Sequence, residues 1–366
     1  MEGQMADGSE ATALTQPSLG LLLGMLIVLA AFGIISLFDE PVFSTWVAFL
    51  WMACVPMMLV LGIVWGGDYP RNLVKLPQPM RGIALLGLCM CVGALVAIVT
   101  FSVVGEGRSP PLPPLMMYII FGVVCTFWFT IVWRCWPITA LSSQPLVTGI
   151  GALLFTYVGG WGLFRLLFDF GFMAGAPVYV ASMDPGGLFT GWTVLSFGVT
   201  TVAVIMTFVM LDFWPLQSLA QRQPMFSAVA SVIVLGLAAA IYCVFVRALG
   251  FDQVEYMVHG PIPYLFGTFF PLTLFENSLM KDRPQPVRGM LFVVFSLVIG
   301  NVLQVLYWWA GPHLSGPLVS GPPNYQYENW LASALLGITF PLIVVWAELF
   351  QFWPLRRRTG SAGAAQ

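Results

Sequence analysis

Apolar stretches of about 18 to 25 residues, nearly free of charge, follow one another along almost the whole chain. Each is long enough to cross the ~30 Å hydrocarbon core of a bilayer as an α-helix. Ten are read, at roughly 18–37, 43–66, 80–104, 114–135, 146–172, 188–213, 225–249, 262–279, 287–310 and 331–353. Only 8% of the 366 residues are charged and 59% are hydrophobic. A soluble domain carries about 25% charge to keep its surface wet. A soluble enzyme, a nucleic-acid binder and a disordered scaffold are thereby excluded, and a net charge of −2 gives no polyanion signal. Strand-type alternation is absent, which argues against a membrane β-barrel. The expected fold class is all-α: a polytopic membrane protein of about ten transmembrane helices, with the lipid bilayer as its solvent.

Ten spans place both termini on one face. The connections on that face hold Arg71, Lys75, Arg81, Arg134, Arg222, Lys281, Arg283, Arg288, Arg356, Arg357 and Arg358, and the opposite face only Arg108, Arg165 and Arg247. This bias predicts cytoplasmic N and C termini in a bacterial inner membrane. The tail 1–17 is polar and acidic, without the basic start of a signal peptide, so the first helix is expected to be retained.

Five Gln-Pro pairs precede the odd-numbered spans: Gln16-Pro17, Gln78-Pro79, Gln144-Pro145, Gln223-Pro224 and Gln285-Pro286. Proline suits the first turn of a helix, where its missing N–H costs nothing. Four even-numbered spans end at Tyr69-Pro70, Trp136-Pro137, Trp214-Pro215 and Trp353-Pro354, and the eighth at Glu276-Asn277. The unit predicted is a helical hairpin used five times. Gln16 to Gln223 and Gln78 to Gln285 are both 207 residues apart, and LVKLPQPMRG resembles LMKDRPQPVRG. The expected layout is a three-hairpin repeat over 18–222, a second over 223–355 with two hairpins, and a tail over 356–366. Units with an even number of spans repeat in parallel, about an axis along the membrane normal.

Candidate site residues come from broken helices and from charge near the spans. Pro56, Pro271 and Pro341 fall mid-span, and in two of these the residue four earlier is glycine: Gly267 and Gly337. In the third it is Met52. Proline deprives that carbonyl of its donor, and transporters build sites from such carbonyls; the other reading is a packing kink. Asp68, Arg134, Asp212, Glu276 and Glu348 lie at the inner ends of the even-numbered spans, with Arg134 the one cation placed to pair with the acids. They read either as a vestibule for a proton or cation or as interface residues that snorkel. At the outer rim, Arg165 with Asp169 and Arg247 with Asp252 are spaced for structural ion pairs.

The two histidines, His259 and His313, fall in expected outer loops, too few for a haem held between helices or a His-rich metal site. Glu255 and His259 would share a metal only if their loop were helical, and no metal or cofactor is expected. Cys89 and Cys91, two apart, would point away from each other on a helix. Gly20 and Gly24 form a small-residue packing face. Outer loops 173–187 and 311–330, the second carrying Asn324-Tyr-Gln-Tyr-Glu-Asn-Trp330, are candidate surfaces for a lid, other membrane subunits or the membrane itself.

Three functions are consistent with these residues. The leading one is a transporter or channel for a small apolar or weakly charged molecule, with Gly267, Pro271, Glu276, Gly337, Pro341 and Glu348 in its path. The alternative is a non-catalytic membrane subunit that anchors or assembles a larger complex. A lipid-directed enzyme is the third, with Asp252, Glu255 and His259 as its only foothold.

Overall fold

Nine apolar segments form helices long and apolar enough to cross a membrane in the computed structural model, which describes residues 15–356. The rest of the acidic N-terminal tail and the run from Arg357 and Arg358 onward lie outside the described residues. In chain order the helices are α1 (Ser18–Ile35), α2 (Glu40–Val64), α3 (Met80–Val103), α4 (Pro113–Val132), α5 (Pro145–Leu167), α6 (Gly191–Met210), α7 (Met225–Ala248), α9 (Val287–Ser315) and α10 (Gln326–Leu349). The eighth span differs from its expected form. It begins nine residues earlier, as Gln253–His259, breaks at Gly260, and resumes as Pro261–Phe269 and Phe270–Leu274. We call this broken helix α8. Among the described residues the fold is all-α apart from one parallel pair of two-residue strands, β1 (Phe168–Asp169) and β2 (Phe189–Thr190).

The helices sort into two layers by burial. In the most apolar stretches of α2, α4, α6 and α10, 72% to 78% of positions are buried in protein; in α3, α5, α7 and α9 the share is 28%, and in α1 44%. Nearly every residue of α8 from Pro261 to Pro271 is buried as well. The even-numbered helices therefore form the inside. They close a ring in chain order, with α2 against α4, α4 against α6, α6 against α8, α8 against α10 and α10 against α2.

Each odd-numbered helix lies in an outer groove between two inner neighbours. α1 sits on α8 and α10, α3 on α10 and α2, α5 on α2 and α4, α7 on α4 and α6, and α9 on α6 and α8. An expected hairpin is thus a connection more than a packed pair, because each outer helix lies chiefly on the two inner helices that precede it around the ring. Gly20 and Gly24 serve this packing: a side chain at Gly20 would meet the Leu274 carbonyl and the Phe275 ring, and one at Gly24 the Phe270 ring.

The mid-span prolines are absorbed by local widening. Pro271 lies within a π-helical turn (Phe270–Leu274), and Pro341 comes two residues after the end of another (Ser333–Thr339). An i→i+5 pattern takes up the residue whose N–H proline lacks, without opening the helix. Pro56 stays inside a regular stretch, Ala48–Leu59, flanked by such turns at Phe43–Val47 and Val60–Val64.

We call the face where the described chain starts and ends the terminal face. Gln16 and Arg356 both bond to Glu276 there, so α1, α8 and α10 all have an end on it. All five inner helices finish the same way on this face, with two consecutive residues in the left-handed region: Gly66 and Gly67, Arg134 and Cys135, Asp212 and Phe213, Glu276 and Asn277, Gln351 and Phe352. The turn stops the helix and sends the chain sideways along the face.

Candidate functional site

All five inner helices contribute to the lining of a narrow cavity between them, of about 40 Å³. Met52 of α2, Val124 and Phe127 of α4, Val199 and Val202 of α6, Leu265 and Phe269 of α8, and Leu336 and Phe340 of α10 face it. Phe340 stacks on Phe269 with ring centroids 4.3 Å apart and lies 6.5 Å from Phe127. None of the lining residues is polar. A space of this size could admit a water, whose share of liquid volume is about 30 Å³, but a water needs two to four polar partners and finds none. The cavity is a dry constriction.

The expected site residues do not converge on it; none of Gly267, Pro271, Gly337 and Pro341 lines the cavity. Gly267 belongs to a crossing where α8 and α9 touch backbone to backbone. A Cβ there would run into the Ser296 carbonyl, and one at Gly300 into the Pro263 carbonyl. The Gly267 carbonyl is not free, because it accepts from the Phe270 N–H. Gly337 packs toward Ala48 of α2. The expectation of exposed carbonyl ligands at Gly267 is corrected by this close packing and by the tightened turn.

The charged candidates sit on the terminal face, where Asp68, Arg134, Asp212, Glu276 and Glu348 are all exposed. Arg134 pairs with no acid among the described residues. It donates to the Ala220 carbonyl at 2.9 Å and lies over the Phe226 ring, 4.3 Å from its centroid. Glu276 forms a two-point ion pair with Arg356, at 2.6 and 2.8 Å. That guanidinium holds the Glu276 carboxyl below its usual range against the opposing effect of partial burial, and the Gln16 amide helps.

Those acids take part in a contact that recurs around the face. Gln16 Nε2 donates to the Leu274 carbonyl at the end of α8, Gln78 Nε2 to the Leu349 carbonyl at the end of α10, and Gln285 Nε2 to the Met210 carbonyl at the end of α6, at 2.9 to 3.0 Å. Each Gln Oε1 accepts from the N–H of a glycine four residues on: Gly20, Gly82 and Gly289. The same amide also reaches Glu276 from Gln16 and Asp212 from Gln285. An inner helix end leaves carbonyls unsatisfied, and the glutamine of a neighbouring outer helix supplies a donor. The glycine is needed because the two backbones meet there. At α7 on α4 the contact is kept in altered form, with Ser227 Oγ 3.1 Å from the Val132 carbonyl and 2.6 Å from the Gln223 amide. At α5 on α2 it is replaced: Trp65 Nε1 donates to the Pro145 carbonyl, and Gly149 makes room for the indole. The sequence carried this signal as Gln-Pro-x-x-small, with Gly20, Gly82, Thr148, Ser227 and Gly289 in the last place.

The opposite face corrects several expectations. Helix α5 stops at Leu167, so Asp169 lies in β1 and forms no ion pair with Arg165, which instead lies over Trp161. Arg247 and Asp252 do not pair either. Asp252 caps the first segment of α8 by accepting from Val254 N–H and Glu255 N–H, and takes the Tyr325 hydroxyl at 2.9 Å. Burial, then that carboxylate, pushes the Tyr325 phenol up to about 12. His259 and His313 are helical rather than in loops. Although Glu255 and His259 do share a helix, His259 Nδ1 is bonded to the Gln304 amide, and no group of three metal-ligating side chains occurs among the described residues.

The two long loops are built around acids. Asp184 accepts from Phe170 N–H, Gly186 N–H and the Tyr179 hydroxyl within 173–187. In 311–330 only residues 316–325 are non-helical. Tyr327, Glu328 and Trp330 are buried in the fold. Glu328 there accepts from the Ser320 hydroxyl and Gly321 N–H. Cys89 is buried and Cys91 exposed, as their spacing requires, and all six cysteines are free. Comparison with known proteins gives no match: no family model matches this chain, nor does any curated protein or solved structure.

Proposed function

We propose that the chain is a conduit, a channel or transporter, for a small apolar or weakly charged molecule, with the five inner helices as its wall. The observation that carries this reading is the cavity to which every inner helix contributes. Phe127, Phe269 and Phe340 form a hydrophobic barrier that excludes water and ions, and conduction requires them to separate. Glu276 and Glu348, on neighbouring inner helices, stand at the terminal mouth and set its charge. In this reading the architecture is a parallel repeat of five outer–inner units about an axis normal to the membrane. The cyclic packing and the recurring Gln contacts support it, and the 207-residue spacing then relates the first unit to the fourth and the second to the fifth. Basic residues concentrated on the terminal face support cytoplasmic termini in a bacterial inner membrane.

The test is stopped-flow light scattering of proteoliposomes challenged with water and glycerol gradients. Replacing Phe269 and Phe340 together by alanine is expected to raise permeability at least tenfold over the parent chain. Unchanged permeability in a folded double variant would remove the proposal. A second reading, a non-catalytic subunit of a larger membrane complex, is favoured by the complete absence of polar lining; loops 173–187 and 316–325 would then carry the contact. Co-purification of stoichiometric polypeptides in mild detergent would support it over the first.

A further inference from the structure

The α5–α2 junction is the place on the terminal face where the glutamine contact is replaced outright, and a cavity of about 300 Å³ opens there. Trp65, Asp68 and Tyr69 from the end of α2, Arg71 from the short helix that follows, and Ser142 and Ser143 from the α4–α5 connection line it. The Gln144 side chain is exposed and does not reach across to α2 as Gln16, Gln78 and Gln285 reach their inner helices. The cavity holds one carboxylate and one guanidinium. Neither side chain belongs to either ion pair among the described residues, and neither makes a side-chain hydrogen bond. Trp65 and Tyr69 meet edge to face beside Asp68, with centroids 4.7 Å apart.

We propose that this junction binds a zwitterion carrying an ammonium and a phosphate. Arg71 with the Ser142 and Ser143 hydroxyls supplies donors for the phosphate, in the combination such groups favour. Asp68 and the aromatic pair supply an anion and π-faces for the ammonium. A volume of about 300 Å³ is at the lower end for small-molecule sites, which matches a group of this size. Two charges of opposite sign left unpaired in one cavity select a ligand that carries both. The cavity also sits level with the ends of the apolar helices, where lipid headgroups lie. The same chemistry is presented by a phosphoethanolamine lipid headgroup and by a free phosphoethanolamine-type solute.

Native mass spectrometry of the full chain in detergent separates these sources, with added phosphatidylethanolamine, phosphatidylglycerol or free phosphoethanolamine. A headgroup site retains one phosphatidylethanolamine at least tenfold over phosphatidylglycerol and ignores the free compound; a solute site retains free phosphoethanolamine. In either case Asp68→Asn and Arg71→Gln each lower retention about tenfold, and Ser143→Trp, which fills the cavity and leaves both charges in place, does the same. Arg222→Gln, elsewhere on this face, retains the parent behaviour. Equal retention of phosphatidylglycerol, retention unchanged in the three cavity variants, or no retention of any probe would each overturn the proposal.

Discussion

The two ends of the bundle are built by opposite strategies. On the terminal face one device recurs: a glutamine of an outer helix satisfies a carbonyl at the end of an inner helix, with a glycine beneath it. On the opposite face three of the connections have solutions of their own, centred on Asp184, Asp252 or Glu328 accepting from nearby backbone and hydroxyl donors. The difference follows from what each end must do. Helix ends that meet in like geometry can be served by like contacts, whereas loops of unequal length cannot. Where the common device is missing, at Trp65 and Pro145, a polar cavity takes its place.

This contrast predicts a graded set of outcomes for thermal unfolding in detergent. The largest belongs to the repeated device: Gly289→Leu forces a side chain into Leu211 and the Met210 carbonyl, and a loss of about 3 kcal/mol is expected. Stability equal to that of the parent chain would mean that the terminal face yields easily. Next, Glu328→Ala empties the place of a buried carboxylate, leaves the part-buried Gly321 N–H and the Ser320 hydroxyl without their acceptor, and should cost about 2 kcal/mol. Limited proteolysis should then cut within 316–325 while the terminal connections stay intact; cuts on both faces would dissolve the contrast. Gln16→Ala and Gln285→Ala should each cost about 1 kcal/mol and add in the double variant, because the contacts they break lie on different inner helices.

The smallest effect concerns Glu276 and Arg356, whose side chains are 41% and 37% exposed. A surface pair of this kind is worth below about 1 kcal/mol. Because Arg356 lowers the Glu276 carboxyl in the folded chain, the contribution is present above the ordinary carboxylate range and is lost as pH falls through the lowered value. Glu276→Gln should therefore lower stability by less than about 1 kcal/mol near neutral pH, and the loss should vanish as pH falls below the lowered carboxyl value. A difference that is largest in acid and vanishes toward neutral pH would reverse this assignment.

Much of the architecture was legible in the sequence. The apolar stretches appear as helices, although α8 is broken, and Gln-Pro marks the start of each outer helix, where proline suits the first turn and, at three of the five, the glutamine contact is made. The cavity wall was not legible. Met52, Phe127, Phe269 and Phe340 are apolar residues in helices that are apolar on every side, and a helix bordered by lipid shows no polar face to betray which side turns inward. The outer-rim pairs failed for a local reason: i, i+4 spacing pairs charges only while the helix continues, and α5 ends before Asp169. The charges at the inner helix ends were located, but the contacts they make were not legible. Asp212 and Glu276 occupy left-handed positions just past the helix, within reach of a neighbouring glutamine, and that neighbour is far away in sequence.

The groove that receives α1 is made from α8 and α10, and the one that receives α3 from α10 and α2. Helix α1 is made before either α8 or α10 and is therefore seated only after both exist. It must wait in the lipid, with Gly20 and Gly24 uncovered, until more than two hundred further residues have been made. Closure of the ring is then a late, single event in biogenesis, and a chain cut short before α10 would lose the berth of its first and third helices together.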